Sequence, residues 1–541
     1  MQARALRQWA RSFTGILSST QASGRRGHGA LRERRFSEWS RICAVFVFSL
    51  LTEIVSPAQT YAVLTTFNGT DGASPVSLVQ GFDGNLYGVT TSGGKCVPDG
   101  GGCGVVFKIT PDGTLTTLYS FCAQNACSDG RTPLAVTQAI DGNLYGTTMN
   151  GGKWANIASI GAGTIFKITP TGTLTTLYRF CAQKNCSDGV APTALTQAAD
   201  GSLYGTTHYG GGVNCGSATG CGTVFKITPS GTLTTLYRFC SQSNCPDGAN
   251  PSPGPVQATD GNFYGTTAFG GVTNGCAFIH GGPGGCGTVF KITSSGTLTT
   301  LYRFCPQTGC TDGNIPNTAL VQGANGNVYG TTFGGGVNNS ICSTADECGT
   351  VFSMTPGGTL TTLYQFCSQT NCIDGFNPSL PLIQATDGNF YGGTQKGGAN
   401  NSGTLFNITP SGAVTTLHNF CGGCGDGTSP SALIQDTDGN FYGTTAVGGT
   451  GEGIAFKLST GLGPFVKTIP TSGKVGAAVT ILGTNLTGAT SVSFHGTTAT
   501  FTVVSSSEIT TTVPAGATTG KVTVTAPSGT LKSNVVFRVR P

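Results

Sequence analysis

One phrase recurs seven times along the chain and constrains its fold more than any other feature. The phrase is clearest at residues 197–207, where it reads Gln-Ala-Ala-Asp-Gly-Ser-Leu-Tyr-Gly-Thr-Thr. Its tyrosine recurs about every 60 residues, at Tyr87, Tyr145, Tyr204, Tyr264, Tyr329, Tyr391 and Tyr442. A period of this length that tolerates changes in loop length indicates one supersecondary unit copied in tandem.

Each copy contains four strand-like stretches separated by turn signals. In the third copy these stretches cover residues 194–199, 203–207, 222–228 and 232–239. Asp200-Gly201 lies between the first two stretches and Pro229-Ser230-Gly231 between the last two, and both are hairpin signals. Four short antiparallel strands per unit, repeated seven times, predict a seven-bladed β-propeller.

The two ends of the repeat region are out of phase with the repeat. Residues 61–67 match the fourth strand and residues 453–458 match the third, so the last unit lacks a fourth strand of its own. We expect the stretch that begins at Tyr61 to complete the last blade, because this closes the ring and removes an exposed sheet edge. An open β-solenoid, the alternative architecture, gives no reason for a displaced strand.

The repeated phrases end before residue 464. Residues 464–541 show alternating strand patterns with turn signals about every eight to twelve residues, which predicts a small β-sandwich. The fold class predicted for the whole chain is all-β. Its predicted domains are an export segment at 1–58, the repeat propeller at 59–463 and the sandwich at 464–541.

Residues 1–58 are interpreted as a signal for export. Several arginines precede the apolar run at residues 42–51, which is shorter than the roughly 20 residues that a membrane-spanning helix needs. A small-residue exit follows at Ser56-Pro57-Ala58. A short buried strand after a basic tail is the alternative. We expect a secreted or cell-surface protein, with no stable membrane span after processing.

The net charge of +5 comes from this first segment. The remainder of the chain is close to neutral and has no basic patch, so we expect no nucleic-acid partner.

Twenty of the 21 cysteines occur as local couples. The couples that follow a fourth strand are Cys122/Cys127, Cys181/Cys186, Cys240/Cys245, Cys305/Cys310, Cys367/Cys372 and Cys421/Cys424; those in a long loop are Cys96/Cys103, Cys215/Cys221, Cys276/Cys286 and Cys342/Cys348. Couples are gained or lost together between copies, so we predict ten local disulfides and an oxidising compartment. The remaining cysteine, Cys43, lies in the apolar run.

Zinc is the alternative use of these cysteines. Tetrahedral zinc needs two cysteine couples brought together, or one couple with histidines. The chain has only five histidines, and none recurs with the couples. The Asp-Gly turns supply one carboxylate per copy without a clustered partner, which favours turn formation over calcium binding. We therefore predict no metal and no cofactor.

Every copy also has a glutamine three positions before the Asp or Asn of its turn. These are Gln80, Gln138, Gln197, Gln257, Gln322, Gln384 and Gln435. If the first strand is innermost, they either line a central channel or hydrogen-bond one blade to the next, and we favour the second role.

Two resemblances follow from these phrases. Asp-Gly-Asn-Leu-Tyr-Gly-Thr-Thr and Gly-Thr-Val-Phe-Lys-Ile-Thr-Pro resemble the GloVer tandem repeat of exported, choice-of-anchor bacterial proteins, over about residues 61–459. This resemblance implies export and a sorting anchor after the repeats, of which none is visible, and it implies no activity. The tail resembles an IPT/TIG immunoglobulin-like domain through Val-Thr-Ile-x-Gly-x-Asn-Leu and Gly-x-Val-x-Val-Thr. Such domains serve as spacers or contact modules on surface proteins.

Two functions remain open. The first is a surface binding or scaffold protein that recognises a glycan or a protein through the face that carries the cysteine loops. The second is a propeller hydrolase or lyase that acts on polysaccharide, with His208 and His280 as the candidates to probe. Near-identical copies favour the first, because an enzyme site is built from residues that differ between blades.

Overall fold

The computed structural model describes residues 59–95, 103–152, 161–212, 220–271, 276, 284–306, 309–337, 341–342 and 348–540. Within these ranges the protein is all-β, and its helical elements are three single 3-10 turns at Asn125–Cys127, Lys184–Cys186 and Thr370–Cys372. In this described part no helix has the length and apolar character needed to cross a membrane. The predicted export segment, including Cys43, lies outside the described residues.

The repeat region contains thirty described strands. In chain order they are β1 (Thr60–Thr66), β2 (Ala73–Gln80), β3 (Leu86–Ser92), β4 (Val105–Ile109), β5 (Leu115–Ser120), β6 (Arg131–Gln138), β7 (Leu144–Asn150), β8 (Thr164–Ile168), β9 (Leu174–Arg179), β10 (Val190–Gln197), β11 (Leu203–Tyr209), β12 (Thr223–Ile227), β13 (Leu233–Arg238), β14 (Ala249–Pro251), β15 (Val256–Gln257), β16 (Phe263–Phe269), β17 (Thr288–Ile292), β18 (Leu298–Arg303), β19 (Val321–Gln322), β20 (Val328–Thr332), β21 (Thr350–Met354), β22 (Leu360–Gln365), β23 (Phe376–Pro378), β24 (Ile383–Gln384), β25 (Phe390–Lys396), β26 (Thr404–Ile408), β27 (Val414–Asn419), β28 (Thr428–Gln435), β29 (Phe441–Val447) and β30 (Ile454–Ser459).

These described strands form seven antiparallel sheets, one for each copy of the repeat. In the first six sheets the strands lie side by side in chain order, from β2-β3-β4-β5 to the sheet of β23 to β27. The seventh sheet has the order β28-β29-β30-β1. Tyr61 of β1 lies opposite Leu458 of β30, and Val63 lies opposite Phe456, which is the pairing that the phase of the repeat predicts.

The strand bounds differ from the sequence prediction mainly at the first strand. In the third copy this strand is β10, which begins at Val190 and ends at Gln197, rather than covering residues 194–199. The strand ends there because the turn begins at the next residue, where the Ala198 N–H donates to the Ser202 carbonyl at 2.9 Å. In the fourth to sixth copies this stretch has nine residues instead of eight, and there the first strand is broken or shortened.

Phenylalanines form the core between neighbouring sheets. Gly205 leaves space in the second strand for Phe225 of the third, since a Cβ at that glycine would lie 2.6 Å from the phenylalanine ring. Phe225 in turn packs on Phe180 of the preceding sheet, with ring centroids 5.3 Å apart. The equivalent pairs are Phe121–Phe166, Phe239–Phe290, Phe304–Phe352, Phe366–Phe406, Phe420–Phe456 and Phe67–Phe107. The last of these pairs joins the seventh sheet to the first.

A backbone hydrogen bond also recurs between consecutive sheets. Its donor is a residue near the start of each first strand, and its acceptor is a carbonyl just before the third strand of the preceding sheet. The bonds are Thr132–Cys103, Ala191–Ala162, Asn250–Cys221, Ile315–Cys286, Asn377–Cys348, Ser429–Ser402 and Ser74–Glu452, with N···O distances of 2.8 to 3.1 Å. The bond from Ser74 to Glu452 again links the first sheet to the seventh.

The tail has two four-stranded sheets that share a core. Its strands are β31 (Lys467–Ile469), β32 (Ser472–Lys474), β33 (Ala478–Leu482), β34 (Ser491–Phe494), β35 (Thr497–Ala499), β36 (Phe501–Val503), β37 (Glu508–Thr512), β38 (Val522–Ala526), β39 (Gly529–Lys532) and β40 (Arg538–Arg540). The sheet orders are β31-β33-β37-β36 and β35-β34-β38-β39, and β32 pairs with β40 in parallel. Ile481 and Ile509 of one sheet meet Val492 and Val524 of the other in the core.

The tail contacts the repeat region where its first and seventh sheets meet. Lys467 Nζ donates to Gln80 Oε1 of the first sheet at 3.2 Å and also to the Gln435 carbonyl of the seventh. Ser507 Oγ donates to the Phe82 carbonyl at 2.7 Å. The tail therefore bonds to both sides of this junction.

Candidate functional site

The strand order places two kinds of connection at opposite ends of every sheet. Connections from the first to the second strand and from the third to the fourth are tight turns, as in the third copy, where Gly201 N–H donates to Ala198 and Gly231 N–H to Thr228, both at 2.9 Å. Because the strands are antiparallel, the second-to-third connections and the sheet-to-sheet connections lie at the other end. All the cysteine couples belong to these longer connections, and we call this end the loop face.

A buried aspartate organises each strand-end loop on this face. Asp188 is 0% exposed and accepts hydrogen bonds from the Tyr178 hydroxyl and the Ala182 N–H, both at 2.9 Å. The Gln183 N–H donates to the other carboxylate oxygen at 3.3 Å. Burial and the neighbouring carboxylate raise the pKa of Tyr178. Two features therefore fix the conformation of this loop: the buried Asp188 carboxylate and the Cys181–Cys186 disulfide.

The same pairing recurs in the other copies. The equivalent tyrosine–aspartate pairs are Tyr119–Asp129, Tyr237–Asp247, Tyr302–Asp312 and Tyr364–Asp374. In the sixth copy a histidine replaces the tyrosine, and His418 Nε2 lies 2.9 Å from Asp426 Oδ2. The seventh sheet has no cysteines in this loop; there Asn68 Oδ1 accepts from the Thr70 N–H at 2.9 Å and the Asp71 N–H at 3.2 Å.

Eight of the predicted cysteine couples are disulfides within the described residues. They are Cys122–Cys127, Cys181–Cys186, Cys240–Cys245, Cys276–Cys286, Cys305–Cys310, Cys342–Cys348, Cys367–Cys372 and Cys421–Cys424. Cys103 and Cys221 are also disulfide-bonded, and their predicted partners, Cys96 and Cys215, lie outside the described residues.

The long-loop couple and the strand-end couple of one copy lie side by side. In the fourth copy the sulfur atoms of Cys276, Cys286, Cys305 and Cys310 all lie within 4.8 Å of one another. The same clustering brings together Cys103, Cys122 and Cys127; Cys221, Cys240 and Cys245; and Cys342, Cys348 and Cys367. In each cluster the long loop packs against the strand-end loop of its own sheet.

Loops of neighbouring sheets are hydrogen-bonded to one another as well. Gly211 N–H of the third copy donates to the Cys186 carbonyl of the second, and Arg238 Nε donates to the Ser187 carbonyl, both at 3.0 Å. The equivalent glycine–cysteine bonds are Gly152–Cys127, Gly271–Cys245, Gly336–Cys310 and Gly398–Cys372. The described part of the loop face is therefore one bonded surface rather than a set of independent loops.

One set of positions on this face differs from copy to copy while its surroundings repeat. In each sheet the residue at the start of the first strand lies opposite the residue at the end of the second. These pairs are Ala73–Ser92, Arg131–Asn150, Val190–Tyr209, Ala249–Phe269, Asn314–Gly334, Phe376–Lys396 and Thr428–Val447. We call these residues the rim.

The rim lies on strands that pack against neighbouring sheets. First strands of neighbouring sheets pack on each other, as β6 packs against both β2 and β10. The rim presents the partly exposed aromatic rings of Tyr209 and Phe269 in adjacent sheets. Lys396 Nζ lies 5.9 Å from the ring centroid of Phe376. Aromatic faces beside cations form surfaces that stack on sugars or dock polypeptide side chains.

Six of the seven glutamines accept a hydrogen bond from the preceding sheet. Gln197 Oε1 accepts from the Ile140 N–H of the preceding sheet at 2.9 Å, while its Nε2 donates to the Gly201 carbonyl of its own turn at 3.4 Å. The acceptor role is shared by Gln257, Gln322, Gln384, Gln435 and Gln80, with the last accepting from Thr437 across the junction of the seventh and first sheets. Gln138 Oε1 is the exception, because within the described residues it has no hydrogen-bond partner.

The candidate histidines are placed differently from one another. His208 lies next to the rim, where its ring meets that of Tyr209 edge to face at a centroid distance of 4.5 Å. Burial lowers the pKa of His208 to about 4, so the imidazole is neutral. His280 lies outside the described residues. Sequence reasoning missed the rim, since only the strand register shows which variable residues lie opposite each other.

A family model, the Gloeobacter/Verrucomicrobia repeat, matches the chain four times, over residues 47–279, 127–343, 213–456 and 276–504. No curated protein matches the sequence.

Several solved structures are similar in fold. A virginiamycin B lyase from Staphylococcus aureus has 14% sequence identity and a TM-score of 0.46, with 74% of this chain and 99% of that chain covered. The extracellular domain of a one component system from B. thetaiotaomicron has 11% identity and a TM-score of 0.45, over 90% and 58%. A fungal alcohol oxidase of the AA5 family, in complex with copper, has 12% identity and a TM-score of 0.47, over 89% and 99%.

Proposed function

The chain belongs to the Gloeobacter/Verrucomicrobia repeat family, and we propose that it is an exported binding or scaffold protein that recognises a glycan or a protein through the rim. The observation that carries this proposal is the contrast between a repeated framework and a variable rim. Aspartates, glutamines and phenylalanines recur at the junctions, whereas the rim pairs change in size, charge and aromaticity.

The architecture that we infer is a seven-bladed β-propeller closed by β1 and followed by an immunoglobulin-like domain of the IPT/TIG kind. Its support is the junction of the seventh and first sheets, where the Phe67–Phe107 contact and the Ser74–Glu452 bond repeat the pattern of the other junctions. The two tail sheets with their shared core support the second part. In such a ring the rim surrounds one mouth of the central channel.

Export is part of the same proposal. The described disulfides need an oxidising compartment, because cytosolic thiols are kept reduced in most organisms. The short apolar run at residues 42–51, after a basic stretch, has the character of a secretion signal. The near-neutral remainder of the chain disfavours a nucleic-acid ligand.

A hydrolase or lyase acting on polysaccharide is the second candidate function. The observation that favours it is the position of His208, a neutral imidazole next to the rim. The framework argues for binding instead, since the other described histidine at the loop face, His418, serves as a substitute for the structural tyrosine.

The experiment is a screen of the oxidised chain against a glycan array, with turnover measured on every glycan that binds. The Tyr209→Ala/Phe269→Ala variant should weaken binding about tenfold or more, equivalent to at least 1.4 kcal/mol. Ser230→Ala, in a tight turn at the opposite end, is the control and should bind as the unmodified chain does. Equal binding by both variants would contradict the rim as the site, and turnover that His208→Ala abolishes would select the enzyme.

A protein ligand has its own readout. If no glycan on the array binds, the unmodified chain, the rim variant and the Ser230→Ala control are each immobilised on beads. The proteins that they retain from culture supernatant of the source organism should then differ. Retention of one protein species by the unmodified and Ser230→Ala chains, but not by the rim variant, supports a protein partner. Identical retention by all three chains would contradict the proposal.

A further inference from the structure

A pocket of about 430 Å³ lies where the tail meets the first and second sheets. The repeat region contributes Asp83 and Asp141, each from the turn between the first and second strands of its sheet. The tail contributes Glu508 and Thr510 of β37. A volume of this size accommodates a small organic molecule. Because these turns belong to the end opposite the loop face, the pocket is separate from the rim.

Gln138, in the wall of this pocket, has an acceptor without a donor. The residue is 6% exposed, and its Nε2 donates to the Gly142 carbonyl at 3.3 Å, which fixes the orientation of the amide. Within the described residues its Oε1 has no hydrogen-bond partner. A buried acceptor left unpaired is destabilising. A hydrogen-bond donor that occupies the pocket would remove this cost.

The missing bond lies where the tail contacts the first sheet. At the other junctions the donor is the N–H two residues after the glutamine of the preceding sheet, as Ile140 is for Gln197. The equivalent donor for Gln138 is Phe82, whose carbonyl accepts from Ser507 of the tail at 2.7 Å. The departure from the repeat therefore coincides with the tail contact and leaves an acceptor in the pocket between them.

The pocket is acidic. Its described lining includes three carboxylates, on Asp83, Asp141 and Glu508, and no lysine, arginine or histidine. Asp141 pairs with Lys167 at 3.0 Å, whereas the described ion pairs include neither Asp83 nor Glu508. Burial raises the pKa of Glu508, and no described cation offsets this effect. Two carboxylates of the pocket therefore lack a cation.

The placement of these carboxylates favours an organic dication over a single metal ion. A Ca²⁺ ion needs its oxygen ligands at about 2.3–2.6 Å, and so brings them close to one another. Among the described residues, the sets of three or more potential ligands within 4.8 Å of one another do not include the three carboxylates. Phe82, Ile140 and Pro170 also supply apolar surface to the pocket, which suits a hydrocarbon chain.

We propose that this pocket binds a small aliphatic diammonium ion. One ammonium group pairs with Asp83 and the other with Glu508, and the Gln138 amide oxygen is a further acceptor. The hydrocarbon between the two ammonium groups packs on the apolar wall. The site joins the repeat region to the tail, so the bound diamine stabilises the folded chain. It is independent of what the rim recognises.

The first test is calorimetric titration of the full-length chain with cadaverine, a linear diamine with an ammonium group at each end. The monoamine n-pentylamine has the same hydrocarbon chain and one ammonium group, and pentanediol has none. Cadaverine should bind at one site and raise the unfolding temperature. The monoamine should bind about tenfold more weakly or less, and the diol should not bind. Absence of cadaverine binding, or equal binding by the diol, would overturn the proposal.

The second test removes one charge at a time. Asp83→Asn and Glu508→Gln should each weaken cadaverine binding about tenfold. The fold tolerates the first change, because Asn325 occupies the equivalent position in the fifth copy and still bonds to the Tyr329 hydroxyl. Asp260→Asn makes the same change in the fourth copy, away from the pocket, and should leave the affinity unchanged. Equal affinities in all these chains would place the diamine elsewhere and overturn the site.

The third test concerns the open acceptor. Gln138→Met removes the amide while keeping the length of the side chain, and should weaken cadaverine binding several-fold. Gln257→Met, at a junction away from the pocket, is the control and should bind cadaverine as the unmodified chain does. Circular dichroism checks that both variants keep their strands. Unchanged affinity in Gln138→Met would contradict the contact between the diamine and Gln138.

Discussion

At the scale of single residues, carboxylates at the two ends of the sheets have different roles. Asp188, on the loop face, is buried and accepts from a tyrosine and two backbone N–H groups. Asp200, at the tight-turn end, is exposed and pairs with Lys226 at 2.8 Å. An exposed pair of this kind contributes about 0–1 kcal/mol, whereas removing a buried acceptor leaves several donors unsatisfied. The loop-face aspartates therefore hold the fold more strongly.

The tight-turn pair also shows compensation within the chain. In the fifth copy Asn325 stands where other copies have aspartate, and Ser353 stands where most have lysine. Asn325 Nδ2 still donates to the Tyr329 hydroxyl at 2.8 Å. The hydrogen bond to the tyrosine is therefore the shared feature, and the ion pair is an addition to it.

His208 predicts a specific pH dependence of stability. Its pKa is lowered to about 4 in the folded chain, whereas an unfolded histidine titrates near 6.5. Below pH of about 6.5 the unfolded chain takes up a proton that the folded chain refuses until about pH 4, so stability falls over this window as pH falls. The loss is at most about 3 kcal/mol.

The measurement is chemical unfolding at a series of pH values for the unmodified chain and for His208→Met. Methionine occupies this position in the second copy, as Met149. The variant should lose less stability than the unmodified chain between pH 6.5 and 4, although His418 and the carboxylates still titrate. Identical pH profiles for the two chains would contradict a buried neutral His208.

At the scale of strands and loops, the sequence predicts most of what the structure contains. The period, the Asp-Gly and Pro-Ser-Gly turns and the displaced strand at Tyr61 predict the sheets and their order. The sequence predicts the first strand of the third copy over residues 194–199, whereas β10 begins at Val190, because Pro192 is tolerated near a strand end with a register shift. The break in the fourth to sixth copies coincides with one extra residue in that stretch.

The loop-face contacts were harder to foresee. Cysteine couples are evident from spacing, but the meeting of two couples depends on how a long loop folds back on its own sheet. Asp188 precedes a glycine, as a turn residue often does, and only the folded loop shows that it is buried beside Tyr178, ten residues earlier. The rim required the register of first and second strands.

Six of the strand-end loops contain a disulfide, whereas the loop of the seventh sheet contains none. We therefore predict that reduction affects these loops differently. Chemical reduction removes the Cys240–Cys245 link, which contributes about 2 kcal/mol for so short a loop in the chain-entropy picture. Amide hydrogen exchange should then become faster at residues 240–248. The loop at residues 68–72, held by Asn68 and without cysteines, should exchange at an unchanged rate. An equal change in both loops would contradict this account.

At the scale of the whole molecule, the tail contacts the junction between the seventh and first sheets. These two sheets are far apart in sequence, so no sheet-to-sheet loop joins them. In the seventh copy Gln435 is followed by Asp436, whereas the equivalent glutamines of the other copies are followed by glycine or alanine. Asp436 is 7% exposed and lies close to Lys467 of the tail. Burial raises the pKa of Asp436 and lowers that of Lys467. This departure from the repeat marks a contact built for the tail.

A double-mutant cycle tests that contact. Lys467→Met leaves a buried carboxylate without its cation and should lower the free energy of unfolding by about 3 kcal/mol. Lys467→Met/Asp436→Ala should recover part of this loss, with a coupling of about 1 kcal/mol or more, because alanine stands at this position in other copies. Additive effects would show that the two side chains do not interact.

Closure of the ring by β1 is the central proposal, and amide hydrogen exchange in β30 tests it most directly. In the chain as it stands, amides of Ile454–Ser459 should be protected as strongly as those of Thr223–Ile227, the equivalent strand of the third copy. In a chain that begins after Thr66, the Ile454–Ser459 amides should exchange faster while those of Thr223–Ile227 stay protected, and an added peptide covering residues 59–67 should restore protection. Unchanged protection of Ile454–Ser459 in the shortened chain would contradict the closed ring.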